Sequence, residues 1–116
     1  MAKITDPGFQ LGDQLTDEQL AFFDKNGFII FRNFLTPQQV ELYLSEAVRI
    51  EKEWLAENRD KVNGVPLKFG MDDKGERLIQ RLCFLSLYSK PLHALLNDPR
   101  LQLLVQFLSF TLVQLL

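Results

Sequence analysis

The sequence predicts an α+β chain that is mostly helical, with one or two short strands. Three observations carry that expectation. Twice, a threonine is followed three residues on by a glutamine, just ahead of apolar residues at helical spacing. Between the two lies FIIFRNF, aromatic and β-branched, the composition of a strand. A glycine-punctuated stretch then separates this opening from a second helical region near the end.

At 116 residues the chain is one domain at most, and long enough to bury a core if its pattern closes on itself. Its 47% hydrophobic and 24% charged residues are ordinary for a soluble globular protein. A net charge of −2 leaves no electrostatic footprint for nucleic acid or an anionic membrane, so neither is expected as a partner. The single cysteine, Cys83, excludes an internal disulfide and suits a reducing compartment. MAKITDPGFQ lacks the basic start and apolar core of a signal peptide, so the expected location is cytoplasmic. Ten phenylalanines are many for this length and point to a core that packs against something broad.

Residues 1–14, with Pro7, Gly8 and Gly12, read as an irregular arm, and the domain proper as 15–116. Thr16 starts a helix: its hydroxyl can accept from the amide of Gln19 while the Gln19 side chain reaches back, with Leu15 and Leu20 as a hydrophobic staple. Leu20, Phe23 and Phe22 make its buried side, and Asn26-Gly27 ends it. In the strand expected over residues 28–34, Ile30, Arg32 and Phe34 point one way and Ile29, Phe31 and Asn33 the other. Leu35-Thr36-Pro37-Gln38-Gln39-Val40 repeats the cap and staple, with proline at the first helical position. Val40, Tyr43, Leu44, Ala47, Val48, Trp54 and Leu55 then mark the apolar stripe of a helix to about residue 57.

From 58 to 76 the pattern dissolves into a long loop with one extended piece at 67–69. Residues 78–88 are open between helix and buried strand. Ser89 leads a short helix to Asn97, and Asp98-Pro99 another to about Leu108. After Arg100 nothing is charged, and the run is too short and too broken by Gln102, Gln106 and Gln114 for a membrane span. FTLVQLL reads as the beginning of a strand without its partner, and a terminal helix packed on the core is the alternative.

LTDEQLAFFDKNGFIIFRNFLTPQQVELYLSEA resembles the opening of the phytanoyl-CoA dioxygenase family of iron(II)- and 2-oxoglutarate-dependent oxygenases. In that family a leucine-threonine cap, a short helix ending in Asn-Gly-Phe or Asp-Gly-Phe, an apolar strand and a second capped helix follow one another. LHALLNDPRLQLLVQFL is similar to a later stretch of the same family, so the resemblance touches residues 15–57 and about 78–108. It implies that these residues are the amino-terminal helical part of a double-stranded β-helix (jelly-roll) oxygenase. The catalytic β-helix, the iron, the 2-oxoglutarate and the small organic or acyl substrate then belong to the complete enzyme. The family's iron ligands are a His-x-Asp and a distant second histidine. Here the only histidine is His93, with Leu95 in place of the carboxylate, so no catalytic or metal residue is assigned, and the chain alone is expected to be inactive and to bind no cofactor. In LIQRL, Arg81 matches the family's basic residue that helps to hold 2-oxoglutarate, since a guanidinium suits a carboxylate. The alternative is a surface arginine paired with Glu76 or Asp73.

Other residues read as structural. His93 is expected to be partly buried, with no nucleophile or carboxylate beside it. Cys83 is expected as a small core residue. Asp72, Asp73 and Glu76 form a solvated turn without the alternating ligands of a calcium loop. Trp54 and Tyr43 lie on the apolar stripe. The rival to the oxygenase reading is a non-enzymatic helical interaction module whose apolar carboxyl end docks to a partner or to itself.

Overall fold

The elements in chain order are α1 (Asp17–Asn26), α2 (Pro37–Ala56), β1 (Lys61–Val62), β2 (Val65–Pro66), β3 (Phe69–Met71), β4 (Arg77–Ile79), a 3-10 turn (Leu85–Leu87), α3 (Lys90–Leu96) and α4 (Pro99–Leu115). This computed structural model describes residue 3 and residues 5–115, with side chains as far as Phe107. The α+β class holds: two α-helices precede, and two follow, a pair of antiparallel two-stranded sheets, β1-β2 and β3-β4. Among the described residues no helix is long and apolar enough to cross a membrane. The chain divides into two units, residues 37–97 and residues 1–36 with 98–116.

The unit of residues 37–97 is built on α2. Ile50 and Trp54, one helical turn apart, meet Val62, Leu67 and Ile79 in a closed core, with Leu55, Phe69, Leu82, Cys83, Leu85 and Tyr88 packed around it. Ile50 is 0% exposed. The apolar stripe expected on α2 is therefore only partly the buried one. Val40, Leu44 and Val48 stand exposed, and Ile50, absent from the expected stripe, lies at its centre.

Residues 58–76 are not a long loop. They fold as the β1-β2 hairpin and the start of the β3-β4 hairpin. Asn63 (φ 48°) and Gly64 (φ 80°) make the two-residue turn of the first, a left-handed pair whose twist matches that of the strands it joins. Strands of two residues are too short to show a period, which is why the pattern hides them. Asp72 closes the second turn: its Oδ1 accepts from the amides of Lys74 and Glu76, both at 2.9 Å. The β4 edge is covered by the Glu51 carboxylate, which accepts from the amide of Ile79 at 3.0 Å. The stretch left open between helix and strand is neither for most of its length. It gives the end of β4, an irregular segment and the 3-10 turn, with Phe84 left-handed at φ 59°.

In the other unit the cap chemistry forms as the sequence predicts. Thr16 Oγ1 accepts from the Gln19 amide at 3.1 Å, Gln19 Oε1 accepts from the Thr16 amide at 3.0 Å, and Gly27 closes α1 with φ 76° and its N–H on Phe23 O. The strand expected over 28–34 is not a laddered strand. The segment is extended to Phe31 and turns at Arg32 and Asn33, where φ is 55°. A strand exists only in a ladder, and among the described residues the segment takes one backbone bond, Arg32 N to Phe9 O at 2.7 Å. The alternation survives in part: Ile29 and Phe31 are half-buried while Ile30 and Arg32 are exposed. The turn then shifts the parity, so Asn33 is exposed and Phe34 half-buried.

The irregular arm is irregular but anchored. The Asp6 carboxylate pairs with the Arg32 guanidinium and accepts from the Gly8 amide at 2.9 Å. At the other end, the strand expected from FTLVQLL is instead a continuation of α4, whose helix runs past Leu108 to Leu115. Only Leu116 of that stretch lies outside the described residues.

Candidate functional site

Arg81 lies just past β4, where the chain leaves the second hairpin, and its side chain is exposed. No described residue forms a hydrogen bond or ion pair with its guanidinium, and the pairing with Glu76 or Asp73 that would make it a surface salt bridge is not formed. Asp72 is instead turned onto its own loop, as described above, which makes the acidic cluster a self-capped turn. Arg77, by contrast, is committed: its guanidinium lies 3.7 Å from the centroid of the Phe69 ring.

His93 sits in the last turn of α3 and is exposed, not partly buried. The half-buried side of α3 is carried by Pro91, Leu92 and Leu95, which leaves the imidazole on the outer side. Among the described residues no three of His, Cys, Asp and Glu converge as a metal-binding group. Cys83 is half-buried against the closed core, as its apolar surroundings predict. Trp54 is in that core too, meeting Tyr88 edge to face at 5.2 Å, while Tyr43 is half-buried.

Sequence reasoning missed the polar lattice that fixes the start of α3. Ser89 is 4% exposed and does two jobs: its Oγ accepts from the Leu92 amide at 3.3 Å and donates to Glu46 at 3.1 Å. Arg49 ties to the same carboxylate at 2.6 Å and donates to Tyr88 O at 3.2 Å. The Arg49 hydrogen bond, then that of Ser89, holds the Glu46 carboxyl below its ordinary range. Arg59 spans the aromatic pair, 5.6 Å from the Trp54 ring and 5.4 Å from that of Tyr88, with a hydrogen bond to the Tyr88 hydroxyl at 3.2 Å. These groups are mutually satisfied and brace the fold; none is aimed at a ligand.

The unit of residues 1–36 with 98–116 holds a different feature, an apolar cavity of about 300 Å³. Leu20 and Phe23 of α1, Ile29 and Phe31 of the extended segment, and Leu104 and Phe107 of α4 line it. Phe23 and Phe107 meet edge to face at 5.5 Å. Arg100 sets the start of α4 beside this wall. Its guanidinium donates to Phe34 O at 2.9 Å and lies 4.1 Å from the Phe34 ring, while Asp98, held below its ordinary value by Arg100, grips it at 2.9 Å. The wealth of phenylalanine and the Leu15-Leu20 staple were the sequence signals for this wall, since both leucines line the cavity. No family model, curated protein or solved structure matches this chain.

Proposed function

We propose that the chain is the amino-terminal helical part of an iron(II)- and 2-oxoglutarate-dependent oxygenase resembling the phytanoyl-CoA dioxygenase family, and that it does not turn over by itself. The complete enzyme would hydroxylate a small organic or acyl substrate in a jelly-roll domain that carries the iron ligands. The observation that carries this reading is the punctuation of residues 15–47. A reciprocal Thr16-Gln19 cap, a left-handed Gly27 stop, an apolar extended segment and a second helix beginning at Pro37 follow in the family's order. The iron does not fit the residues present. A facial site needs two imidazoles and a carboxylate on one face, and His93 is alone and exposed. No step through the metal is therefore assigned to this chain.

What the chain would contribute is Arg81, held at the end of the second hairpin and free to donate two parallel hydrogen bonds to a 2-oxoglutarate carboxylate. Two measurements test this. Succinate formation with iron(II), oxygen and 2-oxoglutarate should be absent for the 116-residue chain, and sustained turnover would refute the ligand argument. Titration with 2-oxoglutarate should shift the backbone amide signals of Gln80 and Leu82 weakly and saturably, and Arg81→Ala should remove the effect; a titration unchanged in that variant would strip Arg81 of its role.

A second reading, a non-enzymatic interaction module, is favoured by one observation: Val40, Leu44 and Val48 line one side of α2 in the open, and Val105 on α4 is 60% exposed. Sedimentation separates the two. Reversible, concentration-dependent association of a fully folded chain supports the module.

A further inference from the structure

We infer that the cavity bordered by α1, the extended segment and α4 is a binding site for a small uncharged ring hydrocarbon, about the size of two fused aromatic rings. The inference does not depend on the oxygenase reading. It rests on size, on the chemistry of the walls and on the state of the one polar wall residue.

At about 300 Å³ the space is roughly twice the volume of an apolar cavity that accepts one benzene ring. It also reaches the lower end of the range of small-molecule pockets. No ionisable side chain lines it. Its single polar wall residue, Gln19, is 4% exposed and has both ends of its amide already engaged. Oε1 accepts from the Thr16 amide at 3.0 Å, and Nε2 donates to the Gln10 carbonyl at 3.0 Å. A guest that carried a carboxylate inside would leave water and find no ionised side chain to pair with, so the charged group would lose most. The walls thus select against polarity as firmly as they select for shape.

Four phenylalanines favour a ring over a chain. Phe23, Phe28, Phe31 and Phe107 come from three separate segments, so the guest meets aromatic surface from more than one direction. Aromatic groups pack against such walls edge to face or offset, the arrangement Phe23 and Phe107 already adopt with each other.

The test is a titration of the 116-residue chain with naphthalene and, separately, with 2-naphthoate, following the methyl signals of Leu20, Ile29 and Leu104 by NMR. Naphthalene should shift these methyls saturably, and 2-naphthoate should bind at least tenfold more weakly. Leu104→Trp fills the space and should abolish the naphthalene shifts at Leu20 and Ile29, while the Ile50 and Ile79 methyls of the closed core remain as they were. If Leu104→Trp does not fold, Leu20→Phe serves the same purpose. The proposal is overturned by the absence of saturable shifts, by equal binding of the carboxylate, or by binding retained in the filled variant. It is likewise overturned by shifts confined to the exposed Val40 and Leu44. Methyl shifts that follow protein concentration and not naphthalene would assign the cavity to a second copy of the chain instead, and would also overturn it.

Discussion

The two units bury their apolar residues in different ways. In residues 37–97, five side chains from one helix and two hairpins close on one another, and Ile50 and Val62 are sealed from solvent. In residues 1–36 and 98–116, the one buried side chain among those described is the polar Gln19, and the aromatic residues surround a space. One unit has satisfied its own sequence, and the other has built walls. The difference teaches that helix caps and aromatic content do not by themselves make a core: what matters is whether enough segments return to the same point.

Truncating one apolar residue in each unit tests this difference most directly. Trp54→Ala removes a ring that is 2% exposed and wedged against Tyr88, and should cost about 3–5 kcal/mol. Leu104→Ala shortens a half-buried residue that already borders empty volume, and should cost about 1 kcal/mol, below the usual range for a packed leucine. Urea unfolding, followed by methyl signals in each unit, measures both. Equal losses would mean that the cavity wall is as tightly packed as the core.

A smaller effect is expected where the closed unit depends on a backbone turn. Gly64 has φ 80°, and the turn it makes with Asn63 seats Val62 in the core. A Cβ there meets no atom within 4 Å, so the cost of Gly64→Ala is conformational and should be about 1–2 kcal/mol. Gly64→Asn should recover part of it, because asparagine tolerates the left-handed region better than alanine. If both variants are as stable as the parent, the hairpin is not what holds Val62.

Much of what was legible in the sequence was local chemistry. Thr16, Gln19, Gly27, Pro37 and Ser89 mark boundaries because each satisfies or removes a backbone group within a turn or so of itself. The strand expected over 28–34 did not form, because a strand needs a distant partner that composition cannot supply. The hairpins went unseen for the opposite reason: Asn63-Gly64 was in plain view, but two-residue strands have no period to read. On α2, helical spacing fixed the element but not which arc is buried, since Val40, Leu44 and Val48 fit an apolar stripe as well as Ile50 and Trp54 do. The candidate site was legible only as Arg81, through a resemblance. The cavity was not, because its walls lie some seventy residues apart along the chain and meet only in the folded unit.

Thr16→Ala brings the comparison to the open unit. It removes one half of the reciprocal cap and should cost about 1 kcal/mol, seen as lost amide protection confined to α1. Protection lost equally in α2 would show that the two units unfold together, and the contrast between them would then be one of packing and not of stability.

The smallest effect is electrostatic, and it too should divide unevenly. Asp6 is held below its ordinary 3.8, first by the Gly8 amide and then by Arg32, and Asp98 by the Arg100 side chain and amide. The closed unit has Glu46, held below 4.5 by Arg49 and Ser89. Because each folded value is lower than the unfolded one, each contribution is whole above the unfolded value and fades as pH falls through the folded one. Stability should therefore be level from pH 7 to pH 5 and decline below about pH 4. All three carboxylates are half-buried, but their arginine partners reach solvent, so the decline is modest, and added salt weakens it further. Urea midpoints read from Leu104 should drop more between pH 5 and pH 3 than those read from Trp54, because the open unit carries two of these carboxylates and has less apolar burial to fall back on. Asp6→Asn with Asp98→Asn should erase the excess. Parallel declines in the parent protein would mean that the Asp6-Arg32 and Asp98-Arg100 pairs do not hold the open unit together, and that its walls stand by aromatic contact alone.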